Sequence, residues 1–216
     1  GRNAFNLALI ESLKIPSKLV ELKEGWCMGL KKLNRILVMP ENPVFSCTDE
    51  GSLIEKSSIN NDVYDILSFC PRNIQHAKIP SYIKIINPFV FQTCKKLKKV
   101  EFTSDSNLNM IKSYAFTYSS IVEFSVPSQL IDIGPNAFAS CKNLVFLEMP
   151  NDSKLQTIHC NAFCQTSIQC LKIPPSVENI NKYAFYDCKK LLIIEISENS
   201  RIKTIRQDAF ANCKIL

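Results

Sequence analysis

A phenylalanine, usually preceded by alanine, returns along this chain at Phe5, Phe116, Phe138, Phe163, Phe185 and Phe210. Phe91 (after Val90) and Trp26 (after Gly25) fill the same slot, and from Phe91 onward the spacings are 25, 22, 25, 22 and 25 residues. A period of this length restricts the chain severely. One such unit cannot bury its own apolar side chains, so the units must stack and share a core.

The columns around the slot repeat as well. An aliphatic stands five residues before each Phe, at Ile86, Ile111, Ile133, Ile158, Ile180 and Ile205. Another stands eight before, at Ile83, Leu108, Leu130, Leu155, Val177 and Ile202. After the Phe, the long rungs read Cys-x-x-Leu, as in Cys94/Leu97, Cys141/Leu144 and Cys188/Leu191, while the short rungs carry Ile10, Ile121 or Ile168 five residues on. An alternating stretch follows, such as Leu144-Val145-Phe146-Leu147-Glu148-Met149-Pro150. Alternation of apolar and polar residues predicts a strand with one buried face, and proline ends it because it cannot donate to a ladder. Equivalent residues on stacked rungs then lie about 4.8 Å apart, with Phe on Phe and Leu on Leu. The expected fold is a solenoid with a parallel sheet on its concave face and short strands and helical turns on the convex side.

The run from Ile173-Pro174-Pro175-Ser176-Val177 through Ile180, Ala184-Phe185 and Cys188 to Leu191 resembles the BspA-type leucine-rich repeats. The resemblance extends over most of the chain. It implies a leucine-rich-repeat solenoid and a recognition module of a cell-surface or secreted protein, of the kind that adheres to host cells or extracellular matrix. The expected partner is therefore a host cell-surface or matrix protein. Any membrane anchor of the parent protein would lie outside these residues. An intracellular interaction scaffold is the alternative.

The series is interrupted between Trp26 and Phe91. Two apolar runs flank the polar stretch Ser57-Ser58-Ile59-Asn60-Asn61-Asp62, which is a hairpin signal. The expectation is one domain over residues 1–216, a fragment of a longer protein since both ends match the middle of a repeat, with a projecting β-hairpin inserted at 42–71. The hairpin either pads the spiral or contacts a partner. Cys47 and Cys70 flank it and would close it as a disulfide in an oxidising compartment.

Other chemistries find little support. The net charge of +6 is spread along the chain, with Lys95-Lys96, Lys98-Lys99 and Lys189-Lys190 as its densest points, so a nucleic-acid partner is not expected. No apolar run reaches the 18 residues of a membrane span. With two histidines far apart, no Cys-x-x-Cys and five glycines, there is no metal-ligand spacing, no phosphate loop and no catalytic set, and no cofactor is expected. Cys94, Cys141, Cys188 and Cys213 all stand three residues after the slot and read as buried structural thiols.

The residues pointing away from the core on each alternating strand would face a partner. From the third strand of this kind on, they pair as His76/Lys78, Lys99/Glu101, Glu123/Ser125, Phe146/Glu148, Cys170/Lys172 and Ile193/Glu195, after Ser12/Lys14 and Arg35/Leu37. The face passes from basic to acidic, and Phe146, Cys170 and Ile193 form an apolar strip about 10 Å long. Exposed apolar patches tend to mark contacts. The strip, rimmed by Glu148, Lys172 and Glu195, is the candidate partner site, unless its residues simply pack sideways on one another.

Overall fold

A computed structural model describes residues 3–60 and 62–214. Gly1, Arg2 and Asn61, the last within the expected hairpin turn, lie outside the described residues, as do Ile215 and Leu216. In chain order, β1 (Ser12–Ile15) and β2 (Arg35–Val38) pair in parallel. They are followed by β3 (Phe45–Cys47), β4 (Leu53–Glu55) and β5 (Ile66–Phe69). Thereafter long and short strands alternate: β6 (His76–Ile79), β7 (Ile85–Ile86), β8 (Lys99–Phe102), β9 (Met110–Ile111), β10 (Glu123–Ser125) and β11 (Asp132–Ile133). The same pattern continues through β12 (Phe146–Glu148), β13 (Thr157–Ile158), β14 (Cys170–Ile173), β15 (Asn179–Ile180), β16 (Ile193–Ile196) and β17 (Thr204–Ile205).

Each regular rung therefore has three sides: a long strand, a short strand and the turn that carries the slot. The short strands form one parallel series from β5 to β17. The long strands fall into three sheets, β1-β2, β6-β8-β10-β12 and β14-β16. Between the sides the columns read from the sequence meet as a core. Phe91, Phe116, Phe138, Phe163, Phe185 and Phe210 stack ring on ring at 4.6 to 5.2 Å, all within about 11° of parallel. Five of these rings are fully buried and the terminal Phe210 is half-buried. The file therefore excludes water from Phe91 to Phe185, and each ring adds the dispersion contact of offset stacking.

The slot turns are not helical; no helix occurs among the described residues. The residues two before and two after the slot have positive φ, as at Tyr114 (59°) and Tyr118 (60°) around Phe116 or Asn136 and Ser140 (both 57°) around Phe138. A left-handed residue every fourth position interrupts any helical run. It also turns the backbone amides toward the neighbouring rung: Phe116 donates to the Ala137 carbonyl at 2.7 Å, and Tyr114 and Tyr118 donate to Pro135 and Ala139. The strain, of order 1 kcal/mol per non-glycine residue, is offset because alternate turn amides, such as Tyr114, Phe116 and Tyr118, find cross-rung acceptors while Ala115 and Thr117 between them bond within the turn.

The same geometry corrects the slot assignment of the second rung. Gly25 (φ 75°) and Gly29 (φ 72°) stand two residues either side of Cys27, not of Trp26. The fully buried Cys27 thus occupies the slot, and Trp26 packs beside it against Phe5 and Phe69. Glycine is required at position 29, where a Cβ would come within 2.8 Å of Asn6 Oδ1 and 3.1 Å of the Leu7 backbone nitrogen.

The interruption is a three-stranded antiparallel meander rather than a hairpin projecting from the spiral. β3 pairs with β4 and β4 with β5, which joins β7 in parallel, so the meander ends the short-strand sheet. Phe45, Leu53, Ile54, Leu67 and Phe69 are all buried. Leu53 and Phe69 face the core of the first rungs, while Ile54 and Leu67 face the main core. The expected Cys47–Cys70 disulfide does not fit. β4 lies between their strands, with Cys47 opposite Leu53 and Leu53 opposite Phe69. Two strand spacings are about 9.6 Å, beyond the roughly 7 Å that a disulfide spans. Both thiols are free.

The meander also costs the solenoid one turn. Leu67 aligns with Ile86, but seven residues lead from Leu67 to Ile74, against eleven from Ile86 to Leu97. The chain runs straight from β5 to β6 without a slot. The flanking turns consequently lack a backbone neighbour, and side chains replace it. The buried Arg72 donates from Nε to the Leu30 carbonyl (2.8 Å), from one terminal nitrogen to Val90 (2.5 Å) and from the other to Phe89 (3.1 Å), with its guanidinium over the Phe69 ring. Gln92 Oε1 accepts from the Gly29 amide at 2.9 Å. Arg72 is the splice between the first rungs and the rest.

Candidate functional site

The long-strand face carries the candidate residues as the alternation required. In β6, β12 and β14 the first and third residues are exposed and the intervening one buried. Phe146 (63% exposed), Cys170 and Ile193 (50% exposed) occupy equivalent positions on β12, β14 and β16, and Cys170 lies directly opposite Ile193. Lys172 and Glu195 are likewise opposite one another. Glu148 accepts a hydrogen bond from Ser125 at 2.8 Å.

The basic end and the acidic end of the face meet at Lys99. Its ammonium lies 3.0 Å from Glu123 and 3.8 Å from Glu101, and hydrogen bonding to Glu123 raises its pKa. His76 and Lys78 sit beside Lys99 and Glu101 on the neighbouring strand. Lys99, Glu101 and Glu123 thus form one group, whereas Phe146, Cys170 and Ile193 form another.

A feature the alternation did not reveal separates the strands of the strip. The ladder is interrupted between β12 and β14, which belong to different sheets. A cleft of about 510 Å³ opens there, lined by Phe146, Glu148, Met149, Gln169, Cys170 and Lys172. Ring, thiol, thioether, carboxylate and ammonium converge on one opening, an arrangement suited to an apolar anchor flanked by polar groups. A single sequence records no seam of this kind, because it depends on how two strands splay after each has formed.

The remaining candidate chemistry is structural. The Sγ atoms of Cys141, Cys188 and Cys213 donate to the carbonyls of Phe116, Phe163 and Phe185 on the preceding rung at 3.0 to 3.2 Å. Ser119 and Thr166 hold the same place in the short rungs and touch Cys141 and Cys188. Burial pushes the Cys141 thiol up to about 12 and Cys27 to about 11. Such thiols are not nucleophiles at neutral pH. His159 lies 2.9 Å from Asp132 on the short-strand sheet, and that contact raises its pKa against an opposing effect of burial. Among the described residues there is no group of three or more potential metal ligands and no helix long and apolar enough to cross a membrane.

Residues 57–192 and 109–216 match the BspA type leucine rich repeat region, in six copies. A leucine-rich repeat protein from Eubacterium ventriosum shares the fold, at 20% identity with a TM-score of 0.73, over 95% of this chain and 59% of that one. The pneumococcal vaccine antigen PcpA does so at 21% identity with a TM-score of 0.59, over 94% of this chain and 48% of that one. The chain thus spans between about half and three fifths of the length of these two proteins. No curated protein matches it in sequence.

Proposed function

Because the chain belongs to the BspA-type leucine-rich-repeat family, we propose that it is a non-catalytic protein-recognition module of a cell-surface or secreted protein, adhering to host cells or extracellular matrix. The observation that carries this reading is the exposed Phe146–Cys170–Ile193 strip and the cleft at its head. Leaving a phenylalanine ring largely in water forfeits about 1.5–3 kcal/mol that burial would return, and a partner's apolar side chain recovers it. Glu148, Lys172 and Glu195 would set orientation by charge, with Lys99, Glu101, Glu123, His76 and Lys78 as the polar flank.

The test is binding of the purified chain to intact epithelial cells and to immobilised matrix proteins, alongside a Phe146→Ser/Ile193→Ser variant. Loss of binding with an unchanged melting temperature supports the reading; undiminished binding by the variant ends it. Deleting 42–71 is no control, since it would strip Leu53, Leu67 and Phe69 from the core.

The ten free thiols favour a second reading, an intracellular interaction scaffold kept reduced. Fractionation of the source cells decides between them: recovery with the surface or secreted fraction supports the first, recovery with the cytosol the second.

A further inference from the structure

We propose that the cleft beside the splice binds an acidic peptide segment, independently of the long-strand face. The cleft has a volume of about 850 Å³ and lies where the solenoid lacks a turn. Its walls are two lysine doublets, Lys31-Lys32 on the second rung and Lys95-Lys96 on the Phe91 rung. The chain at Arg72-Asn73 runs between them, so the doublets flank it two strand spacings, about 10 Å, apart. In an unbroken stack the lysines of adjacent rungs would be separated by protein rather than by an opening.

All four lysines are exposed, and no carboxylate among the described residues forms an ion pair with any of them. Lys95 donates to the Tyr118 carbonyl at 2.7 Å, which holds its ammonium at the rim. Glu11 is the one carboxylate in the lining, against those four lysines and Arg72. Unpaired like charges around a concavity focus a positive potential into it and draw in an anion. The lysine positions are far enough apart to require an anion with at least two separated charges.

The other lining groups indicate which polyanion. Asn6, Asn34, Asn73 and Gln92 contribute side-chain amides, and Leu7, Met28 and Tyr118 contribute apolar surface. A primary amide both donates and accepts, which matches the alternating N–H and C=O of a peptide backbone. A sulfated sugar chain is richer in acceptors and would be met better by donors alone. The opening also stands where the slot turn is missing from the stack, so one further segment of extended chain has the right thickness for it.

The experiment is fluorescence anisotropy at low salt with a labelled ten-residue glutamate-rich peptide, a lysine-rich peptide of the same length and a heparin-derived octasaccharide. The proteins compared are the unaltered chain, Lys31→Glu/Lys96→Glu in the cleft and Lys189→Glu/Lys190→Glu outside it, each checked by circular dichroism. Lys32→Gln/Lys95→Gln serves if the first charge reversal fails to fold. The expected result is binding of the acidic peptide that weakens at least tenfold in the cleft variant and less than threefold in the outer one. Absence of peptide binding, equal weakening in both variants, or tenfold tighter binding of the octasaccharide than of the peptide would overturn the proposal.

Discussion

From Phe91 to Phe210 the solenoid is held by one contact repeated, whereas between Cys27 and Phe91 it is held by contacts that occur once. In the regular region the slot amides of Phe91, Phe116, Phe138, Phe163 and Phe185 each meet the next rung's carbonyl, and every ring meets a ring. At the splice the equivalent carbonyls take their protons from Arg72, and the second slot holds a thiol instead of a ring. Repetition spreads stability over neighbours, so that each rung's loss is felt locally and equally. A splice concentrates it in one side chain.

Two substitutions of similar size set these regions against each other. Phe138→Ala removes a ring stacked on both sides, by Phe116 and Phe163, and should cost about 3–5 kcal/mol in urea unfolding. Arg72→Met leaves the Leu30, Phe89 and Val90 carbonyls without the guanidinium. At roughly 1–3 kcal/mol for each unsatisfied group, partly relieved by water, the expected loss is about 2–4 kcal/mol. The discriminating readout is hydrogen exchange. Arg72→Met should speed exchange in β1 and β2 while leaving the slot amides of Phe116 to Phe185 unchanged, and uniform acceleration would show that the two regions are one cooperative unit.

Smaller effects refine the picture within the regular rungs. Cys141→Ser keeps a donor to the Phe116 carbonyl and imitates Ser119 and Thr166, so it should cost less than Cys141→Ala, for which about 1 kcal/mol is expected from the lost bond. Paired melting curves measure the difference. The smallest effect is a pH dependence. The contact with Asp132 raises the His159 pKa above 6.5 in the folded chain. Its contribution is therefore complete below about pH 6.5 and is lost as pH rises through the raised folded value. Melting temperature should fall slightly more for the unaltered chain than for Asp132→Asn over that rise, and identical slopes would remove the ion pair from the account.

Much of the fold was legible because core positions share one packing environment, and shared packing selects the same residue on rung after rung. Phe, Leu and the rung thiols could be read as columns for that reason. The positive-φ positions were hidden, since Tyr114, Tyr118, Phe89 and Thr93 hold them without the glycine that would advertise the geometry. Trp26 drew attention by its size, although Gly25 and Gly29, symmetrical about Cys27, marked the true slot. The missing turn was written only as a shortfall in length between Leu67 and Ile74. Arg72 had no periodic partner to reveal it. The outward columns of the candidate site followed from alternation alone, but the seam between β12 and β14 depends on inter-strand geometry that no single strand encodes.

The central claim is that recognition of a host or matrix protein belongs to the long-strand face and is separate from acidic-peptide binding at the splice. The direct measurement is the affinity for one immobilised matrix protein that the unaltered chain binds, compared across Phe146→Ser/Ile193→Ser and Lys31→Glu/Lys96→Glu. The account predicts at least a tenfold loss in the first variant and near-native binding in the second. The reverse order would contradict it and move the recognition surface to the cleft.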